Sequence, residues 1–328
     1  TKGRTMKYRT LGRTGLKVSE IGFGAWGIGK SMWRGAEDSE SLRALHTARD
    51  LGVNFFDTAL VYGAGHSEKL VGQFRRERQD AVIIASKVPP KNDLWPARPG
   101  TRLTDCFPHD HIIGKTEQSL RNLGVDTIDL QQFHVWTDEW IDEPEWFDAI
   151  SKLKEEGKIR HFGISINDHQ PESVLKVGAS GKVDVFQVIY NIFDQSPEKE
   201  LYPLCLQKEI GVIVRVPFDE GALTGTVTPD TIFPERDWRR NYFKGDRKKQ
   251  VFDRVERLRP LLGEEASTLP ELALRFCLHH EAVSTIIPGM RTVAHVQSNS
   301  QVSDGRSLST GILVDLRKEA WEKNFYNY

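Results

Sequence analysis

Four residues in the first 134 positions have the chemistry to move a proton at a carbonyl group. Asp57, Lys87 and His134 each close a short apolar run, and Tyr62 follows Asp57 by five residues. A tyrosine hydroxyl ionises only near pH ~10, and a nearby ammonium group lowers that pKa. We therefore expect Lys87 to lower the pKa of Tyr62, and Asp57 to hold Lys87 in an ion pair. With His134 donating a hydrogen bond to the same oxygen, the group favours protonation of a carbonyl.

Reduction of a carbonyl also needs a hydride, which no protein side chain supplies. The sequence therefore implies a nicotinamide cofactor. Each of the four residues also has a purely structural interpretation, such as a buried ion pair or a packing tyrosine. Their position at the ends of consecutive apolar runs favours the catalytic interpretation.

Eight short apolar runs alternate with amphipathic stretches along the chain. The predicted strands cover residues 20–25, 54–58, 81–88, 127–134, 161–166, 183–190, 212–218 and 284–288. The predicted helices, most with proline near the start and glycine at the end, cover 38–52, 108–124, 144–157, 171–178, 197–211, 247–262 and 270–280. This alternation predicts an α/β fold, a (β/α)8 TIM barrel. In such a barrel the C-terminal strand ends gather polar side chains at one mouth.

An N-terminal β-hairpin is predicted over residues 7–19, and extra helices follow the seventh strand. We expect one barrel domain over residues 6–328, with 1–5 as an expression remnant or a disordered start. A doubly wound sheet is the alternative. It is disfavoured because no acidic residue stands at a strand end about twenty positions after the glycines at 22, 24 and 27.

The composition excludes several classes of partner. A formal net charge of −1 does not suit a general polyanion binder, and no apolar run is long enough to span a bilayer. The three cysteines, at 106, 205 and 277, are spaced for neither a disulfide framework nor a metal site. We expect a cytoplasmic protein with a small carbonyl or alcohol substrate, and with no metal, nucleic-acid or membrane partner. The oligomeric state stays open.

The stretch NFFDTALVYG at 54–63 resembles the signature of the aldo-keto reductase superfamily. In that family the Asp, the Tyr, the following Lys and the following His form the catalytic tetrad, which here implies Asp57, Tyr62, Lys87 and His134. LGRTGLKVS at 11–19, FGIS at 162–165, QVIYN at 187–191 and IPG at 287–289 are also similar to family members. The resemblance runs from about residue 6 to 299. The GRTG start at 12–15 and the IPG strand end at 287–289 favour the bacterial, plant and potassium-channel-β-like branch of the family.

The resemblance further implies an extended NAD(P)H across the barrel mouth. The implied cofactor-binding residues are Trp26, Asp57, Ser165, Asn167, Gln187, Arg215, Val216, Pro217, Phe218, Gly221, Leu223, Gly289, Arg291, His295 and Asn299. Three positions depart from the family pattern. Ile166 separates Ser165 from Asn167, Arg215 stands where an aromatic ring usually stacks on the nicotinamide, and His295 replaces Arg or Gln.

Arg291 decides the expected cofactor. A guanidinium at the start of a helix suits a phosphate, so Arg291 favours NADP (NADPH) over NAD. The charge of Arg215 would disfavour an oxidised, cationic ring. We therefore expect tighter binding of the reduced cofactor.

Aromatic residues of the mouth loops are the substrate candidates. Trp26, Trp33, Trp95 and Trp136 are expected to line the pocket, with Phe218 and Trp238 as further possibilities. Rings of this kind suit aldehydes and sugar faces alike, so an aldehyde reductase and a sugar or polyol dehydrogenase both stay open. Two other hypotheses are a cofactor-binding regulatory subunit with little turnover and a lyase that uses Lys87 as a Schiff base.

Overall fold

The computed structural model describes residues 6–30 and 35–326. The expected start at 1–5 and the substrate candidate Trp33 lie outside the described residues. Two antiparallel strands, β1 (Tyr8–Thr10) and β2 (Lys17–Ser19), form the predicted hairpin. Its turn ends at Gly15, whose φ of 72° is a left-handed conformation that glycine adopts readily.

Eight parallel strands follow the hairpin. They are β3 (Phe23–Gly24), β4 (Phe55–Asp57), β5 (Ile83–Val88), β6 (Ile128–Phe133), β7 (Ile159–Ser165), β8 (Val185–Ile189), β9 (Gly211–Arg215) and β10 (Thr285–Ile286). Each strand pairs with its neighbours in chain order. Parallel bridges Ile21–Ile286 and Gly24–Gly289 join the first strand to the last. The (β/α)8 barrel is thereby confirmed, and the doubly wound alternative is wrong.

Three glycines lie in and around the first barrel strand. Gly22, Gly24 and Gly27 have the spacing of a dinucleotide-binding turn, but Gly22 and Gly24 lie where the first strand meets the last. Their amides donate to Ile286 O at 2.7 Å and to Pro288 O at 3.1 Å. A Cβ at Gly24 would lie 2.5 Å from the carbonyl oxygen of Ile287. Glycine at 24 therefore lets β3 approach the segment after β10.

Helices surround the barrel. They are α1 (Asp38–Asp50), α2 (His66–Arg78), α3 (Leu103–Cys106), α4 (His109–Leu123), α5 (Pro144–Glu155), α6 (Leu175–Ala179), α7 (Leu201–Lys208), α8 (Arg239–Tyr242), α9 (Arg247–Leu258), α10 (Leu269–His279), α11 (Val293–Ser300) and α12 (Thr310–Arg317). The predictions over 171–178 and 197–211 were too long. Each of these stretches opens with a 3₁₀ turn, Pro171–Val174 or Ser196–Glu198, and only its later part is α-helical. Among the described residues, no helix combines the length and apolarity needed to cross a bilayer.

The barrel interior has two layers. The lower one is apolar and is closed from below by the hairpin; it comprises Leu11, Val18, Phe55, Ala85, Leu130, Val185, Ile213 and Ile287. The upper layer, toward the C-terminal strand ends, is polar and buried: Asp57, Lys87, Gln132 and Gln187. An apolar floor beneath buried polar groups keeps water out from below, which strengthens their electrostatic interactions.

Candidate active site

The side chain of Lys87 contacts the side chains of two other predicted catalytic residues, Asp57 and Tyr62. Its Nζ donates to Asp57 Oδ2 at 2.7 Å and lies 3.3 Å from the Tyr62 hydroxyl. The carbonyl oxygen of Thr58 accepts a third hydrogen bond at 2.8 Å. Lys87 is fully buried and Asp57 nearly so. The register partner of Asp57 on β5 is Ala85, two residues before Lys87. The predicted contacts among Asp57, Tyr62 and Lys87 are therefore present.

Two glutamines hold the second oxygen of Asp57. Gln187 Nε2 donates to Asp57 Oδ1 at 2.8 Å, and Gln132 Nε2 lies 3.4 Å from the same atom. A buried carboxylate costs much less when both oxygens accept hydrogen bonds. These contacts fix the carboxylate that in turn fixes Lys87.

The pKa of Tyr62 moves opposite to the expectation. Burial raises the pKa of Tyr62 above its ordinary value, while Lys87 opposes that rise. Burial outweighs the neighbouring ammonium, so the expected net lowering of the Tyr62 pKa is wrong. Burial also lowers the pKa of Lys87, but Asp57 and Tyr62 outweigh it and leave that pKa raised. At neutral pH the tyrosine therefore holds a proton to donate, and the lysine is an ammonium.

His134 lies at the end of β6, facing the tyrosine. The ring centroids of His134 and Tyr62 are 6.0 Å apart. Burial, and then the charges of Lys87 and Arg215, hold the pKa of His134 well below its usual range. Its Nδ1 is buried without a hydrogen-bond partner in the described part of the chain. A neutral imidazole with an unsatisfied buried nitrogen has the capacity to bind a ligand oxygen.

Two of the predicted substrate residues flank this group. The ring of Trp26 lies 6.3 Å from that of Tyr62, and the ring of Trp95 lies 5.8 Å from that of His134. Trp238, from the loop after β9, contacts Trp26 with a centroid distance of 6.4 Å. Trp26 and Trp95 thus pack beside the tyrosine and the histidine, and Trp238 extends this aromatic surface through Trp26.

Trp136 does not belong to this surface. Its side chain has no exposed area, and its ring packs 5.0 Å from Trp146 and 5.6 Å from Trp140. Its Nε1 donates to Asp138. The structure thus places Trp136 within an aromatic cluster and not beside Trp26 and Trp95.

Two of the three residues expected near the nicotinamide carboxamide lie together, and the third has other partners. Ser165 and Gln187 are register partners across β7 and β8, so they lie together at the mouth. The amide of Asn167 makes its hydrogen bonds elsewhere: its Nδ2 donates to Trp136 O at 2.8 Å and to Gln170 Oε1 at 3.1 Å. The additional residue Ile166, with 1% of its surface exposed, lies in the core. We therefore leave Asn167 out of the carboxamide contacts.

Arg215 ends β9 and is held by the loop after β7. Its Nη2 donates to Ile166 O at 2.8 Å and to Asp168 Oδ1 at 2.6 Å. Its charge lowers the pKa of both Tyr62 and His134, as lesser contributions behind burial. Arg215 is therefore electrostatically coupled to Tyr62 and His134.

The loop after β9 has an unusual backbone. Val216, Asp219 and Glu220 have φ values of 54°, 47° and 56°, and Gly221 has 100°. A non-glycine residue in the left-handed region costs about 1–3 kcal/mol and persists only where its surroundings hold it there. The buried Pro217 and Leu223 and the partly buried Phe218 anchor this loop on the barrel. No atom lies within 4 Å of a Cβ placed on Gly221, so its backbone is open to a ligand.

Basic groups gather at the far side of the mouth. Arg291 lies against Gly27, where a Cβ would be 2.6 Å from its Cγ and Cδ. Burial, and then the charge of Arg239, lowers the pKa of Arg291, while Asp237, which forms an ion pair with Arg239 at 2.9 Å, opposes this effect. Burial, and then Arg291, likewise lowers the pKa of His295. Positive groups that depress one another fit an anionic ligand such as a phosphate.

The helix beside this cluster begins differently from the prediction. Thr292, and not Arg291, caps α11 by accepting a hydrogen bond from the amide of His295 at 3.2 Å. Glu40 Oε1 accepts from the amide of Val293 at 3.0 Å. The helix N-terminus is thus already occupied by a carboxylate. Asn299 is buried in α11, and Gly289 is exposed just after β10.

Four residues of this region were missed by sequence reasoning. Asp168 lies three residues after β7, close to a strand end, and the rule that found Asp57 could have found it. Arg239 belongs to a basic and aromatic stretch, WRRNYFK at 238–244, that follows the seventh predicted strand. Glu220 and Tyr326, which hydrogen-bond to each other across 106 positions, carried no sequence signal.

Known proteins resemble this chain over most of its length. The Aldo/keto reductase family model matches residues 20–310, most of the chain. The chain belongs to the aldo/keto reductase family. It is therefore an oxidoreductase acting on carbonyl or alcohol groups.

Individual relatives of this aldo/keto reductase carry different names. An Escherichia coli protein named NADH-specific methylglyoxal reductase is 30% identical over 90% of this chain and 92% of its own. An Arabidopsis thaliana protein, 30% identical over 94% and 95% of the two chains, is named a probable voltage-gated potassium channel subunit beta. The solved glycerol dehydrogenase AKR11B4 from Gluconobacter oxydans matches with a TM-score of 0.77, at 27% identity over 97% and 95% of the chains. The predicted bacterial, plant and channel-β-like branch is confirmed.

Proposed function

We propose that this protein reduces aldehydes or ketones reversibly with NADPH, with Tyr62 as the proton donor. The observation that carries the proposal is the contact of a buried ammonium, Lys87, with both the Tyr62 hydroxyl and the Asp57 carboxylate. A bound nicotinamide supplies the hydride. The chain's own residues supply the proton and a hydrogen bond to the reacting oxygen.

The proton transfer follows from the pKa directions. Tyr62 is protonated at neutral pH and can donate to the carbonyl oxygen as negative charge develops there. Lys87 stabilises the resulting phenolate, and Asp57 balances the charge of Lys87. Neutral His134 donates a further hydrogen bond to the same oxygen without adding a charge.

The cofactor preference rests on the basic cluster. Arg291 and Arg239 lie close enough for the charge of one to lower the pKa of the other. This arrangement suits the 2′-phosphate that distinguishes NADP from NAD. The relative named NADH-specific makes the preference a point to be measured.

The remaining cofactor contacts are part of the same proposal. Ser165 and Gln187 would hold the carboxamide end, with Trp26 and Arg215 beside the ring. The loop from Val216 to Leu223 would cover the pyrophosphate, and Gly289, His295 and Asn299 would hold the adenosine end.

An aromatic or long-chain aldehyde is the proposed substrate class. Trp26, Trp95 and Trp238 offer indole surface around the reacting groups. The glycerol dehydrogenase similarity keeps polyol oxidation as a second candidate. The raised pKa of Tyr62 favours reduction near neutral pH, because oxidation would need the phenolate.

The two other hypotheses are less well supported. A Schiff-base lyase needs a neutral lysine, whereas the pKa of Lys87 is raised by its ion pair. A regulatory subunit would not require the complete contact set of Tyr62, Lys87 and Asp57. Cofactor binding without turnover on any carbonyl would favour the regulatory hypothesis.

Oxidation of NADPH and NADH with a panel of aldehydes, ketones and keto-sugars, run in both directions, tests the proposal. Tyr62→Phe is expected to lower kcat by roughly 10²–10⁴-fold, the usual contribution of a general acid. Tyr8→Phe is the matched control, since the Tyr8 hydroxyl bonds Gly52 O below the barrel. Near-wild-type turnover by Tyr62→Phe would show that another group donates the proton.

A further inference from the structure

The loop after β9 is held by contacts outside itself. Its acidic pair, Asp219 and Glu220, lies in left-handed backbone and is almost fully buried. Asp219 accepts hydrogen bonds from the Tyr242 hydroxyl at 2.5 Å and from Arg247 at 2.8 Å. Both partners follow the loop closely in the chain. This half of the loop is therefore restrained by its own connection to α9.

Glu220 is restrained from much farther along the chain. Its Oε1 accepts a hydrogen bond from the hydroxyl of Tyr326. Tyr326 belongs to residues 321–326, which follow α12 and which we call the strap. Glu220 is buried, so loss of the Tyr326 hydroxyl would remove a hydrogen bond from a buried carboxyl group.

The strap is itself fixed at both ends. The amide of Trp321 donates to Phe193 O at 2.7 Å, in the loop after β8. The Phe325 ring lies over the Arg247 guanidinium, 3.1 Å from its ring centroid. Lys199 and Glu322 form an ion pair at 2.8 Å. The strap thus connects the loops after β8 and β9 to α9.

Aromatic contacts continue from the strap to the catalytic tyrosine. The Tyr326 ring stacks on Trp238 with centroids 5.4 Å apart and planes 23° apart. Trp238 contacts Trp26, which contacts Tyr62. His169, in the loop after β7, contacts the Tyr326 ring as well, at 5.6 Å. Tyr326 is therefore placed where the loops after β7 and β9 meet.

We propose that Tyr326 is a positioning residue whose hydrogen bond to Glu220 holds the loop 216–225 closed and thereby slows release of the cofactor. The proposal about release rests on the proposed function, in which this loop covers the pyrophosphate. The proposal that Tyr326 holds the loop closed does not rest on the proposed function. Because the left-handed residues need external restraint, loss of the Tyr326 hydroxyl should let the loop open more often.

Hydrogen exchange without added cofactor tests the first half. Tyr326→Phe keeps the ring and its stacking but removes the donor, and Tyr8→Phe is the matched loss of a hydroxyl on the opposite side of the barrel. Amides of residues 216–225 are expected to exchange about tenfold faster in Tyr326→Phe, with unchanged exchange in β4–β6. Equal exchange in the two variants would overturn the proposal.

Stopped-flow measurement of NADPH release tests the second half. Tyr326→Phe is expected to release NADPH about tenfold faster. The single-turnover rate of hydride transfer should stay within about twofold of wild type, because no contact of Tyr62, Lys87 or Asp57 changes. Faster loop exchange with unchanged release would overturn the role in release. Failure of the wild-type protein to bind NADPH or NADH would refute the proposed function, while the exchange experiment would still decide the role of the strap.

Discussion

The two halves of the barrel mouth are built by different means. In the half formed by β4, β5 and β6, Asp57 is the last residue of β4 and Lys87 the last but one of β5. Their side chains contact each other directly. In the half formed by β7, β8 and β9, Asp168 and Glu220 lie in loops and depend on Arg215 and Tyr326 for their positions. The first half is fixed by the barrel itself. The second half is fixed by side chains from distant segments, and it is the more easily altered by a single substitution.

The largest expected effects are at the buried pair of the first half. Asp57→Asn leaves the fully buried Lys87 without its counter-charge and should lower the free energy of unfolding by about 3–5 kcal/mol. The double variant Asp57→Asn with Lys87→Met removes both charges and should recover most of that loss. Both variants should lose about 10³-fold in kcat. Urea unfolding and steady-state kinetics separate the two effects.

Lys249→Met is the control for this comparison, because the Lys249–Asp253 pair is exposed and should contribute little. A double variant as unstable as Asp57→Asn alone would contradict the assignment. The instability would then come from the lost contacts of Asp57 with the two glutamines and not from an unbalanced charge.

The next largest effect is at Arg291, which follows β10 and lies outside both halves. Arg291→Ala should weaken NADPH binding by about 30-fold, the range of a charge-assisted contact with phosphate, and leave NADH binding within about twofold. Fluorescence titration of both cofactors measures the ratio, with Arg259→Ala as a control at an exposed arginine. Equal weakening of both cofactors would mean that Arg291 supports the site through packing on Gly27 and does not recognise a 2′-phosphate.

The sequence predicts the first half well for a physical reason. Strand ends can be read from local apolar runs, and a parallel barrel brings consecutive ends together whatever the loops do. Asp57, Lys87 and His134 could therefore be placed before any coordinates. The pKa of Tyr62 could not, because burial is a property of the packed chain and here it exceeds the effect of the ammonium.

The second half depends on pairings that leave no periodic signal. Asn167 was expected at the cofactor, but its amide binds the backbone of Trp136, 31 residues earlier. Trp136 was expected at the substrate, but it is enclosed by other aromatic side chains. The contact of Glu220 with Tyr326 joins two loops far apart in the chain. Such contacts are fixed only when the whole domain packs.

A smaller effect is expected at the counter-charge of Arg215. Asp168→Asn keeps the shape of the side chain but leaves the guanidinium charge less balanced, and both partners are only 18% exposed. Repulsion of the oxidised, cationic ring should then grow, so the Kd of NADP⁺ should rise about fivefold while that of NADPH changes less than about twofold. Asp315→Asn, at an exposed pair with Lys318, is the control. A parallel change in both Kd values would place Arg215 away from the ring.

The smallest expected effect is a difference in how the two halves respond to pH. Burial raises the pKa of Tyr62 and lowers that of His134, so neither group changes its charge near neutrality. The single-turnover rate of reduction should therefore vary less than about twofold between pH ~6 and ~9. A rate that falls steeply across this range would mean that the proton donor has an ordinary or lowered pKa.

Glu220 behaves differently, because burial, Asp219 and Asp168 raise its pKa to about 7, against the opposing effects of Tyr326 and Arg215. A carboxyl group with a raised pKa favours the folded state most at low pH, and that contribution is lost as pH rises toward 7. Its ionisation also places a negative charge in the loop proposed to cover the pyrophosphate. The Kd of NADPH should therefore rise roughly threefold more between pH ~6 and ~8 in the wild type than in Glu220→Gln, which cannot ionise. Identical pH profiles in the two proteins would show that Glu220 does not titrate there, and the two halves would then differ in construction but not in their response to pH.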